Sequence, residues 1–159
     1  MRDGIDIYPA ASSGTTPAKS WTHMVMSANQ TTNLTAGNIV LFDTEKAGSG
    51  ITNDGAGAVT LKAGKTYRID LDIGASFSAI GGDLGVDIYD NTNAVSIVSR
   101  AYIVPPTYPS NFTRGPGDTC GIVTVGGSDI IITARITVST SVTQIYAEAS
   151  GTRLIIQEV

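Results

Sequence analysis

From Ser20 onward, apolar and polar side chains alternate with a period of two, the repeat of a strand with one buried face. The longest run starts at Tyr67. Tyr67, Ile69, Leu71, Ile73, Ala75 and Phe77 fall on one side, and Arg68, Asp70, Asp72, Gly74 and Ser76 on the other. That predicts one long, half-buried strand. Shorter runs of the same kind precede it: "SWTHMVMS" from Ser20, "GNIVLFDT" from Gly37 and "GAVTLKAG" from Gly57. "LGVDIYD" from Leu84 and "AVSIVSRAY" from Ala94 follow, joined by the hairpin-like turn Asn91-Thr92-Asn93. "TCGIVTV" from Thr119 comes next. "DIIITARITVS" from Asp129 sets Ile130, Ile132, Ala134, Ile136 and Val138 on one side. "TQIYAEA" from Thr143 and "TRLIIQEV" from Thr152 close the chain around a turn at Ser150-Gly151. Roughly ten short strands at even spacing, with no helical period and no fixed repeat, predict an all-β sandwich or closed barrel.

Two segments break this rhythm. Residues 1–19 are rich in Ser, Thr, Ala, Pro and Gly and read as an extended N-terminal arm ahead of a domain at 20–159. Within the arm, "IDIY" places Ile5, Ile7 and Tyr8 as candidate anchors on a partner. Residues 103–118, "IVPPTYPSNFTRGPGD", hold four prolines and two aromatics. That is too long for a simple turn, and Tyr108, Phe112 and Arg114 are residue types that interfaces concentrate.

Composition narrows the function classes. Charged residues are 15% of the 159, well under the usual quarter, and the net charge is −4. No Lys/Arg cluster occurs, so neither nucleic acid nor an anionic membrane surface is an expected partner. Cys120 is the only cysteine, which excludes an intrachain disulfide and a cysteine-based metal site. No apolar run approaches the ~18 residues of a membrane span, and the N-terminus lacks the apolar core of a secretory signal, so synthesis in a cytoplasm is expected.

Gly64-Lys65-Thr66 matches the end of a phosphate-binding loop. Such a loop needs a glycine five positions earlier and a helix after the lysine. Here Val59 holds that position and a strand pattern follows, so a turn is the reading. His23, the only histidine, lies in an early strand with no nucleophile motif near it, and a packed or interface role is expected. Cys120 in a strand reads as a small buried hydrophobe. Asp70 and Asp72, with Asp83, Asp87 and Asp90, offer carboxylates for Ca²⁺ or for a glycosidase pair. The reading taken is a solvated sheet face paired with Arg68 or Arg100. No cofactor is assigned, and the spacing leaves Ca²⁺ at Asp70/Asp72 or Asp83/Asp87 open. Three Asn-x-Thr matches, at Asn29, Asn33 and Asn111, are chance matches in an Asn/Thr-rich chain.

"NIVLFD", a glycine-rich gap and "AVTLKAGKTYRIDLDI" resemble the middle of a tumour necrosis factor-like jelly roll, the fold shared by the globular heads of the first complement component. Phe42, Gly64 and Tyr67 stand at that pattern's Phe, Gly turn and aromatic, and "TRLIIQEV" is similar to its closing strand. The resemblance implies two stacked antiparallel sheets and a tight homotrimer, with Tyr67, Tyr89 and Tyr146 lining the subunit contacts. Small phage virion proteins look like this: head decorations, head fibres and tail-fibre tips. The resemblance therefore implies a non-enzymatic capsid decoration, cement or head-fibre protein. It would be found in the virion, anchored by its arm to the major capsid protein or another virion protein. The alternative is a fibre tip that binds a host surface receptor. A chain beginning at Met1 with no fibrous stalk is expected to stand alone as a decoration.

Overall fold

The computed structural model describes residues 18–79, 81–104, 115–147 and 152–159. Ile5, Ile7 and Tyr8 of the arm, and Tyr108, Phe112 and Arg114, lie outside the described residues. Among those described, eleven strands form and no helix. They are β1 (Trp21–Val25), β2 (Thr44–Ser49), β3 (Thr52–Asn53), β4 (Ala58–Leu61), β5 (Thr66–Phe77) and β6 (Asp83–Asp90). Then come β7 (Val95–Ile103), β8 (Gly115–Thr124), β9 (Ile130–Thr140), β10 (Val142–Ile145) and β11 (Arg153–Glu158).

These strands build two antiparallel sheets. β5 is the axis of the first. β8 pairs with it from Thr66↔Thr124 to Ala75↔Gly115. On its other side β11 pairs with Tyr67–Asp72 and β10 with Ala75–Phe77, end to end in one lane. Where that lane is interrupted, Gly74 stays satisfied. Its carbonyl accepts from the Tyr146 N–H at 2.8 Å, and its N–H donates to the buried Thr152 Oγ1 at 2.9 Å. β1 runs beside β11, with the Glu158 N–H donating to the Ser20 carbonyl at 2.8 Å, and β2 pairs on its far side. The second sheet has the order β3-β4-β9-β6-β7.

The core lies between the sheets, where alternation turns every second side chain inward. Tyr67, Ile69, Leu71, Ile73, Ala75 and Phe77 of β5 are buried, as the period of two predicts. They meet Leu84, Val86 and Ile88 of β6 and Ile132, Ala134 and Ile136 of β9 in one cluster. Each fully buried aliphatic side chain contributes on the order of 1.5–3 kcal/mol. At the β7–β8 edge the sheets close on glycine. A Cβ at Gly121 would stand 2.8 Å from the Val98 Cγ1, so only glycine lets β7 settle against β8 there.

Three expectations about strands change. The run from Gly37 is not a ladder strand. Its backbone bonds β9 at Gly37, Asn38 and Val40, but the Phe42 and Asp43 N–H groups turn back to Val40 and Leu41. Val40 and Phe42 are buried all the same. The glycine-rich gap that follows holds two further strands, β2 and β3, which carry no buried apolar side chain. Strands also take both ends of the proline-rich stretch, because β7 runs to Ile103 and β8 begins at Gly115.

Candidate contact surfaces

The sandwich has two distinct ends. At one, the chain enters and leaves together. The Ser20 N–H donates to the Glu158 Oε2 at 3.2 Å, Lys65 Nζ donates to Oε1 of the same carboxylate at 2.6 Å, and the Val159 N–H donates to the Thr66 carbonyl. The same end carries the Gly64 turn. Gly64 has φ +71, and its N–H donates to the Val125 and Gly126 carbonyls. A turn between two strands has no helix dipole, so the phosphate-loop reading is closed. The opposite end is where β7 stops and β8 starts, bracketing residues 105–114. The entry at Ser20, beside Glu158↔Tyr67, and the start of β8, at Ala75↔Gly115, are separated by eight residue steps along β5, roughly 27 Å.

The outward face of the first sheet is a mixed surface. Its rungs read Ile122–Arg68–Gln157, Cys120–Asp70–Ile155 and Asp118–Asp72–Arg153 across β8, β5 and β11. Ile122 is 70% exposed and Trp21, on β1, 40%. Arg68 Nη2 bonds Asp70 at 2.9 Å, and Arg153 bonds Asp72. Asp70 and its hydrogen bond hold the Arg68 guanidinium above its ordinary value. Cys120 is exposed, not buried, because β8 turns its glycines inward and its Cys and Ile outward. His23 is half-buried between the inward Thr22 and Met24, and its Nε2 has no partner among the described residues.

Of the three tyrosines expected at subunit contacts, Tyr67 belongs to this chain's own core. It is 2% exposed, and its hydroxyl oxygen accepts the Lys62 N–H at 3.1 Å, which leaves it no surface to offer. Tyr89 is half-buried under the Arg135 guanidinium, 4.4 Å from the ring centre. Tyr146 is half-buried just past β10. The structure does not gather the three on one face. Tyr102 on β7, 46% exposed, and Val104, 59% exposed, stand instead at the sandwich edge next to β8.

The other carboxylates have partners. Asp87, 8% exposed, takes Arg100 Nε at 3.0 Å and the hydroxyls of Ser96 and Thr137. Asp90 accepts from the Thr92 and Asn93 N–H groups and closes the β6–β7 turn. Asp83 accepts from the Tyr102 hydroxyl at 2.7 Å. Its neighbours Thr140 and Tyr102 hold its carboxyl below the usual value, and the same bond raises Tyr102. Among the described residues no three His, Cys, Asp or Glu side chains converge on a metal position.

No protein-family model matches the chain, and no curated protein matches it. Solved structures match its shape. One is the crystal structure of murine APRIL, with a TM-score of 0.58 and 14% identity over 89% of this chain and 100% of that one. The fold is a tumour necrosis factor-like jelly roll. Phe42 in the core, the Gly64 turn and Tyr67 at the head of β5 are the residues through which the sequence resembled it. An identity this low establishes architecture and leaves the role to the surfaces.

Proposed function

We propose that this chain is a non-enzymatic bacteriophage virion protein, a capsid decoration, cement or head-fibre protein. Residues 1–19 anchor it to the major capsid protein or another virion protein, and the jelly roll faces outward. The observation that carries the reading is the opposition of the two ends. The Ser20–Glu158–Lys65 clasp holds the chain's entry at one end, and β7 stops and β8 starts at the other. An anchored arm then leaves the far end free.

The sandwich assembles as a homotrimer in this reading. The exposed edge with Tyr102 and Val104 packs against the outward sheet face of the next copy, around Ile122 and Trp21. A heterologous contact of this kind gives a closed ring when its rotation closes, which this reading takes to be threefold. Light scattering on the full chain and on a version starting at Ser20 tests both parts. Trimers in both forms, with capsid binding only in the full chain, are expected. Undiminished capsid binding without the arm rejects the anchor, and monomers in both forms reject the trimer.

A second reading, a fibre tip that binds a host receptor, draws on the exposed Tyr102 and Val104 leading into residues 105–114. It requires Tyr108→Ala or Phe112→Ala to abolish cell binding while the fold survives.

A further inference from the structure

The segment Gln30–Leu41 crosses from the first sheet to the second as a compact loop organised by one side chain. Gln30 is 6% exposed, and its backbone pairs with Ile145 in both directions at 2.9 Å. Its Nε2 donates to the carbonyls of Thr32 (3.3 Å), Asn33 (3.4 Å) and Ile39 (3.0 Å), and its Oε1 accepts the Leu41 N–H at 3.1 Å. Both ends of the loop and its tip are therefore tied to one buried amide. Asn33 takes the left-handed conformation at φ 53, which asparagine tolerates better than most residues. Leu34 turns in against the core, and Asn38 Nδ2 caps Thr35 at 2.8 Å.

The side chains at the tip do the opposite of the backbone. Thr31, Thr32 and Asn33 are exposed. Among the described residues their hydroxyls and primary amide make no intramolecular hydrogen bond. No charged residue occurs between His23 and Asp43; Leu34 and Val40 face inward, and Leu41, 40% exposed, stands at the loop's far end from the tip. Arg135, which reaches the loop's far side, donates to the Gly37 carbonyl and covers Tyr89. The tip is thus a fixed, uncharged set of donors and acceptors without the aromatic or arginine anchor a protein interface uses. Half-buried Tyr146 stands at the loop's root, next to Ile145, and the Ala147 N–H donates to the Asn29 Oδ1 at 2.8 Å.

We propose that Thr31-Thr32-Asn33 forms a binding site for a neutral saccharide. Vicinal sugar hydroxyls both donate and accept, as these three side chains do, and a backbone already fixed by Gln30 loses little entropy when they engage. The site does not depend on what the arm binds.

The test is an array of neutral galactose-, glucose- and N-acetylglucosamine-based oligosaccharides, with sialylated and sulfated ones beside them, probed with the full chain. Hits are then titrated by saturation-transfer NMR. Binding to a neutral oligosaccharide is expected, weakened about tenfold in the double variant Thr31→Val/Thr32→Val, which removes two hydroxyls at constant shape. Should that variant melt early, Asn33→Asp is the deciding change. It removes the amide donors at an exposed position and is expected to weaken binding to the same extent. Absence of any neutral hit, hits confined to acidic sugars, or full affinity in these variants overturns the proposal.

Discussion

Replacing Gln30 by leucine keeps the side-chain volume and deletes all four of its hydrogen bonds, so the cost can be worked bond by bond. The Thr32 and Asn33 carbonyls belong to exposed residues, and water replaces Nε2 there at a cost near 0.5 kcal/mol each. The Ile39 carbonyl and the Leu41 N–H flank the fully buried Val40, where an orphaned group costs roughly 1–3 kcal/mol. Partial rehydration brings the expected total to about 2–4 kcal/mol. For a chain of this length that lowers the melting temperature by on the order of 10 °C. Urea unfolding measures the energy, and amide exchange locates it. The Leu41 amide should lose protection with the Ile145 and Ile136 amides that bond this segment, while the amides of β5 keep theirs. A loss under ~1 kcal/mol with unchanged exchange at Leu41 refutes the view that Gln30 holds the loop.

Gly121→Ala pushes a Cβ to 2.8 Å from Val98, and the overpacked β7–β8 edge should lose about 1–3 kcal/mol in urea unfolding. Unchanged stability contradicts the closure described there. Stability should also fall in acid. Lys65 and the Ser20 N–H hold the Glu158 carboxyl below its ordinary 4.5, and Lys62 and the Ala63 N–H hold Asp129 below 3.8. Depressed carboxylates contribute stability above those values that disappears as pH drops through the folded ones. Melting curves of Glu158→Gln and Asp129→Asn should therefore converge on the parent as the pH drops past those ordinary values and through the lower folded ones. A gap that stays constant through acid counts against these pairs. Ile122→Asp puts a charge on the most exposed large apolar side chain of the described residues, at the proposed subunit contact, so the proposed trimer predicts a shift to monomer in light scattering with the far-ultraviolet spectrum unchanged. A trimer that persists moves the contact elsewhere.

Strands that bury one face were legible because alternation and burial are one fact seen twice. β5 runs Thr66–Phe77, and its inward side chains are the six that the period selects. β2, "TEKAGS", was not legible: it is an edge strand with no buried side chain, and backbone pairing alone leaves no mark in the sequence. Cys120 was misjudged for a subtler reason. Gly117 and Gly121 take β8's inward positions because Ile103 and Val98 of β7 occupy the space, so Cys120 and Ile122 point to solvent. Glycine in the core reverses the apparent phase of a strand. Tyr67 was expected on the inward side of its strand and, through the resemblance, at a subunit contact; the inward place is the one it takes, and one N–H from Lys62 satisfies its polar tip inside the core. Gln30 left no signal at all, since its partners are backbone atoms that any residues would supply.

The position of the Gln30 loop bears on how anchoring and recognition coexist. Gln30 pairs with Ile145, Ile145 pairs with Ala75, and Ala75 pairs with Gly115, where β8 begins. The loop's root therefore lies at the end of the sandwich that brackets residues 105–114, and the Ser20–Glu158 clasp lies at the other. A protein held at the clasp end turns both the Thr31–Asn33 tip and the β7–β8 end away from its support. Between the two ends stands β5, paired with β8 on one side and with β11 and then β10 on the other, and buried on its inner face. The two proposals together predict that removing residues 1–19 abolishes attachment and leaves saccharide affinity as it was, and that disabling the tip leaves attachment as it was. A single variant that lost both would mean the sandwich itself had failed.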